Sequence, residues 1–229
     1  KREDNANYRK TIIEILTFDP AILQRFVNFM SNPDEETAIE QFGNSDKYFC
    51  VATLLCTMPG LPLFAHGQLE GLREKYGMEY LRPEWQEKID QRLVNEHRQK
   101  IAPLLRNREV FSGADDFQLY DFVSEQGVEE DIYTYTNATD DQQVLVLCNN
   151  SSRPISGFIG PAVNSKTERR SLREALDLRE ERGFYCCRSL NSSLEYLRPA
   201  TGEFYFDLPP YAHLVLNHFQ HQPDAYGQW

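Results

Sequence analysis

The chain has 229 residues, with 24 Lys and Arg against 35 Asp and Glu, a formal charge of −11. With 41% hydrophobic and 12% aromatic residues it has enough apolar material for a sizeable core, which excludes general disorder. The acidic balance argues against a partner that is nucleic acid, and no apolar run approaches the roughly 20 residues that a membrane span needs.

The first half reads as alternating helix and strand. Asp4 or Asn5 caps an expected helix with the apolar stripe Tyr8, Ile12, Ile15 and Leu16. Asp19-Pro20 breaks it, and Ile22 to Met30 reads as a strand buried on both faces of a parallel sheet. A second helix passes through Ala38, Ile39 and Phe42 and stops at Gly43, a natural residue just past a helix end. A third, Tyr48 to Cys56, is apolar on nearly every side and so is expected in the core. Pro59-Gly60 ends it, and Leu61 to Ala65 reads as another buried strand. Pro83 suits a first helical position, and Trp85, Ile89, Leu93, His97 and Ile101 follow at intervals of four, predicting one long helix disturbed at Pro103.

From about Ser112 the pattern changes. Phe117–Val123, Ile132–Tyr135, Val144–Cys148, Phe204–Leu208 and His213–Leu216 are short apolar runs between Gly, Pro, Asn and Asp clusters, the spacing of an antiparallel sandwich or barrel. Thr139-Asp140-Asp141 suits a hairpin tip, Ser171 to Arg182 a charged helical insert, and residues 222–229 a loose tail. The five cysteines (Cys50, Cys56, Cys148, Cys186, Cys187) are an odd number without metal-ligand spacing and are expected as free thiols, Cys186 and Cys187 on opposite faces of a strand. Asn-Ser-rich loops yield sequons by chance, and a reduced, cytoplasmic setting is the default expectation. No cofactor or metal site is expected.

Several stretches resemble the α-amylase family, glycoside hydrolase family 13. Phe29-Met30-Ser31-Asn32-Pro33-Asp34-Glu35 is similar to the F-x-x-N-H-D-E/T motif of its seventh barrel strand. Thr57-Met58-Pro59-Gly60-Leu61-Pro62-Leu63-Phe64-Ala65-His66-Gly67-Gln68 resembles T-x-P-G-x-P-x-x-Y-x-G-Q/D-E at the eighth. Ile101 to Arg108 is similar to the last barrel helix, and Val144–Asn149 and Leu208–Leu216 to two strands of the C-terminal sandwich. These stand in family order from about Ala6 to His218.

The resemblance implies an α/β segment followed by an all-β one: residues 1–112 the last two βα units of a (β/α)8 barrel, residues 113–229 a β-sandwich. It implies an enzyme on α-linked glucans with a retaining mechanism, whose nucleophilic Asp and acid/base Glu lie upstream of this chain. The partners implied are an oligo- or polysaccharide and the remainder of the catalytic barrel. Strands seven and eight, parted from their neighbours, are then expected to expose apolar edges.

By motif Asp34 is the third carboxylate, which stabilises the transition state; read without the motif it is a helix cap ahead of Glu35 and Glu36. Asn32, Gln68 and His66 are candidate sugar contacts. Gln68 and His66 read equally as strand-end residues, and His97 and Trp85 as members of a packed stripe, although Trp85 also suits sugar stacking. Two positions depart from the pattern. Pro33 replaces the family His, which also fits a non-catalytic scaffold, and Leu69 follows Gln68 where Glu is usual.

Overall fold

A computed structural model describes residues 4–75, 81–163, 165–166 and 168–224. Helix α1 (Asn5–Phe18) starts where the Asp4 carboxylate accepts from the Asn7 N–H, and it buries Arg9, Ile12 and Leu16. Asp19 caps a short 3-10 helix, Pro20–Arg25, before strand β1 (Val27–Phe29). The expected strand over Ile22–Met30 is therefore helical turn at residues 22–25 and strand only at Val27–Phe29, because Pro20 at a first helical position and the Asp19 cap favour helix at its start.

Helix α2 (Ala38–Phe42), capped by Thr37, ends at Gly43 with φ 72°, and α3 (Asp46–Thr57) runs through the core, as their patterns indicated. Strand β2 (Leu61–Leu63) follows and pairs in parallel with β1, Val27 opposite Leu61 and Phe29 opposite Leu63. Gly60, at φ 103°, makes this pairing possible. A Cβ there would lie 2.4 Å from the Phe26 carbonyl oxygen, which accepts the Leu61 N–H.

The long helix expected from Pro83 begins only at Gln91. Asp90 caps α4 (Gln91–Glu96), a π-helical turn spans His97–Ile101, and the chain continues as α5 (Ala102–Arg106) and α6 (Arg108–Ser112). Pro103 does not end the helix. Its missing N–H coincides with a widened turn in which the Ala102 N–H reaches back to the His97 carbonyl. The stripe divides accordingly: Leu93, His97 and Ile101 are buried, whereas Trp85 and Ile89 are exposed.

The second half is a mostly antiparallel, curled sheet. Its strands are β3 (Gln118–Ser124), β4 (Gly127–Val128), β5 (Ile132–Thr139), β6 (Gln142–Asn149), β7 (Ile155–Ala162), β8 (Phe184–Ser189), β9 (Glu195–Pro199), β10 (Tyr205–Leu208) and β11 (His213–Gln222). They lie in the order β10-β7-β3-β5-β6-β11-β8-β9, with β4 paired to β3. The expected separate sheets of a sandwich are thus one continuous hydrogen-bonded path, with register shifts in the β3–β7 and β11–β8 pairings. The turn at residues 140–141 joins β5 to β6 as expected, with Ala138 opposite Gln143. The charged insert is a four-residue helix, α7 (Leu172–Ala175), started by a Ser171–Glu174 capping box; Asp177 just beyond it has φ 51°. Residues 225–229 of the expected tail lie outside the described residues.

Alternation along the strands builds two cores. In β6, Val144, Val146 and Cys148 join Leu16, Phe49 and Cys50 from the helices, while Leu145 and Leu147 face a second core with Tyr120, Phe122, Phe206 and Leu176. Polar bonds fasten α1 to the sheet. Asn5 donates to the Asp131 carboxylate at 2.7 Å, and buried Arg9 reaches the Asp121 carboxylate and the Tyr120 carbonyl. All five cysteines are free thiols, Cys187 buried and Cys186 half-buried on β8. No helix among the described residues is long and apolar enough to cross a membrane.

Candidate active site

Parallel pairing puts the C-terminal ends of β1 and β2 side by side. Phe29 and Leu63 are register partners, and Asn32 and His66 each stand three residues beyond them. Asp34 follows on the turn after β1 and is exposed. Its N–H and that of Glu35 both donate to the Asn32 side-chain oxygen, at 2.8 and 3.0 Å. Asn32 thus shapes the turn that presents Asp34, a role its side-chain carbonyl fills without touching the carboxylate. Among the described residues nothing is hydrogen-bonded to the Asp34 carboxylate. The Lys75 ammonium instead donates to the Asp34 main-chain carbonyl at 3.0 Å.

His66 lies exposed in the turn after β2. Gln68 is turned inward, 3% exposed. Its oxygen accepts the Ala65 N–H at 3.1 Å and its nitrogen approaches the Met30 sulfur at 3.3 Å. It thereby ties the loop after β2 to the residue that follows β1, as a strut between the two strand ends.

Behind this strut is a buried polar chain. The Tyr48 hydroxyl donates to the Gln68 carbonyl at 3.2 Å and lies 2.8 Å from His97 Nε2. The hydroxyl lies within hydrogen-bond reach of both groups, and which of it and Nε2 donates is set by the ring tautomer. Nδ1 is buried without a hydrogen-bond partner, and Tyr48, Phe49 and Phe64 pack their rings around the imidazole. Burial lowers the His97 pKa to about 4, against favourable contributions from Glu70 and Glu96, and burial pushes the Tyr48 hydroxyl up. His97 is therefore a neutral structural group, as its place on the stripe suggested.

The loop after β2 is held by two carboxylates that sequence reading passed over. Glu74 accepts the N–H groups of Glu84 and Trp85 at 2.7 and 3.1 Å, and Glu87 accepts those of Glu74 and Arg73, each at 2.8 Å. This capture of main-chain donors is why residues 84–87 do not join the helix. Asp90 is held below the usual carboxylate range, first by the Leu93 N–H it caps, then by Asn44 and Arg92.

A hollow of about 580 Å³ opens elsewhere, along β1 between α1 and α3, where Ile12, Phe26, Phe29, Leu54 and Met58 line it. Asn32, Asp34 and His66 are not in its lining. The apolar residues of β1 and β2 face solvent: Val27 and Phe29 are each 47% exposed, and Leu61 62%. The strands are thus not buried on both faces as expected, since among the described residues neither has a second neighbouring strand. No cluster of three His, Cys, Asp or Glu side chains able to hold a metal occurs among the described residues.

No protein-family model matches the chain, and comparison with curated proteins finds no match. Solved structures do match. The α-amylase of Geobacillus thermoleovorans complexed with acarbose superposes with a TM-score of 0.57 at 13% identity, over 87% of this chain and 40% of that one. A maltogenic α-amylase of Thermotoga neapolitana gives 0.54 at 15% identity, over 95% of this chain and 50% of that one. An acarbose-soaked debranching enzyme of Nostoc punctiforme gives 0.57 at 17% identity, over 93% and 38%. The chain spans half or less of the length of each. What it shares with these glycoside hydrolases of the α-amylase family is the fold of a part of their chains.

Proposed function

We propose that the chain is the C-terminal piece of an α-amylase-like glycoside hydrolase or glucanotransferase. Residues 1–112 supply the last two βα units of its barrel and residues 113–229 its C-terminal β-sandwich. Its substrates are α-linked glucans, and the remainder of the catalytic barrel is its structural partner. In a retaining reaction one carboxylate attacks the anomeric carbon and an acid protonates the leaving oxygen; both groups belong upstream of this chain. Asp34 accepts hydrogen bonds from sugar hydroxyls that strengthen as positive charge develops on the ring, so it lowers the barrier rather than merely binding substrate.

The observation that carries this reading is the side-by-side, C-terminal ends of two parallel strands, with Asp34, Asn32 and His66 on the turns just beyond them. Active sites of (β/α)8 barrels occupy that end. An Asp34 carboxylate without a protein hydrogen bond among the described residues suits a group reserved for substrate, and the exposed apolar side chains of β1 and β2 suit strands that pack within a fuller barrel.

In the full enzyme, Asp34→Asn is expected to lower kcat by about 10²-fold or more while KM changes little, the signature of an interaction made in the transition state. A near-wild-type kcat would remove Asp34 from the mechanism. The chain alone, lacking nucleophile and acid, is expected to hydrolyse no maltooligosaccharide. Pro33, in place of the family His, favours a second reading, a non-catalytic scaffold of the same fold. An Asp after the fourth barrel strand and a Glu after the fifth in the upstream sequence would decide for the enzyme.

A further inference from the structure

We infer that Trp85 is a stacking platform for a pyranose ring of an α-glucan, its backbone fixed by Glu74 on a stem that the neighbouring Lys75 ties to the Asp34 turn. The inference rests on the sugar-site reading above and adds to it a binding residue that no motif contributes. Trp85 is 57% exposed, although an indole ordinarily buries most of its surface. Its main chain is nevertheless fixed. The Trp85 N–H donates to Glu74, whose side chain is buried, and Glu87 returns two bonds to the main chain at Arg73 and Glu74. Four charge-assisted bonds thus lock the loop stem and leave the ring free, the arrangement of a preorganised contact rather than of a frayed loop.

The same stem reaches the proposed site. Lys75, next to Glu74, donates to the Asp34 carbonyl at 3.0 Å. One lysine side chain, one peptide unit and one glutamate side chain therefore connect the Asp34 turn to the Trp85 backbone. A pyranose presents an apolar C–H face bounded by hydroxyls. A flat indole covers that face while the rim hydroxyls remain free for other partners and the solvent, the division of labour that makes Trp a frequent anchor at wet interfaces.

The test uses the full 229-residue chain. Trp85 and Trp229 are its two tryptophans, so Trp229→Phe leaves Trp85 as the sole indole reporter. Titration with maltoheptaose is followed by emission and by calorimetry on the same sample, with cellohexaose as the β-linked control. The expected result is an indole accessible to iodide without sugar, a saturable blue shift with maltoheptaose, and binding weakened at least about tenfold by Trp85→Ala but largely kept by Trp85→Tyr. Binding undiminished in Trp85→Ala yet lost in Asp34→Asn would overturn the platform and leave the sugar site standing. An indole already shielded from iodide would overturn it too. Absence of any binding heat with the wild-type chain would overturn both the platform and the site.

Discussion

The two sheets of this molecule are made from similar residues and treated oppositely. In β5 and β6 the apolar side chains are sealed on both faces, with Tyr135, Val144, Leu145, Val146 and Leu147 all at 0% exposure. In β1 and β2 the chain is equally apolar, but Val27, Phe29, Leu61 and Leu63 stand 43–62% exposed. A strand's hydrophobicity specifies how many neighbours it is made for, not how many it has. The nine-stranded sheet is sealed by elements of this chain, whereas the parallel pair has no further strand among the described residues.

The contrast can be broken by substitution. Leu147→Ala, in the sealed sheet, is expected to cost about 3–4 kcal/mol, as large-to-small changes in a close-packed core do. Urea denaturation would show it, and a loss below about 1 kcal/mol would mean that the second core is loosely packed. The parallel pair has one position expected to be nearly as sensitive. Gly60→Ala places a methyl group against the Phe26 and Leu23 carbonyls at a left-handed φ, and about 3 kcal/mol is expected.

A comparable effect follows from His97, which links the parallel pair to the helices. Its pKa is lowered from 6.5 to about 4, chiefly by burial. Between those values the unfolded chain takes up a proton that the folded chain refuses. Stability is therefore full above about pH 6.5 and is drawn down as the pH falls from there to about 4, by an amount on the order of 3 kcal/mol. His97→Gln should flatten this part of the stability-against-pH curve; an unchanged slope would assign it to other groups. The smallest effect is expected at Phe29→Ala, about 1 kcal/mol in this chain, because a ring 47% exposed gives up only part of a full burial. A cost of about 3 kcal/mol or more would show that the ring is fully packed in solution.

Much of the architecture was legible. Gly43 and the apolar run Tyr48–Cys56 marked α2 and α3, and the short apolar run Val144–Cys148 marked a strand, whose successive side chains the structure sends into two cores. The 83–90 stretch was not, because intervals of four between Trp85, Ile89 and Leu93 describe a helix only if the main-chain N–H groups are free to make one. Glu74 holds two of them from ten or so residues upstream, a long-range competition that periodicity does not record. The Ile22–Met30 run misled for a local reason, since Asp19-Pro20 signals a helix start as much as a break. At the proposed site, the place of Asn32 and Asp34 just beyond a strand was legible through their motif, whereas the bond from Lys75, 41 residues from Asp34, was not. Gln68 was legible as a special position, but its inward turn depends on Met30 lying opposite, a matter of strand pairing.

Amide hydrogen exchange of the 229-residue chain tests most directly the proposal that β1 and β2 are strands of a larger barrel. Residues 27–29 and 61–63 should exchange at least about 100-fold faster than residues 132–139 and 142–149, since exchange follows local opening. Equal, strong protection of both sheets would contradict it, because the parallel pair would then already have all the neighbours it needs.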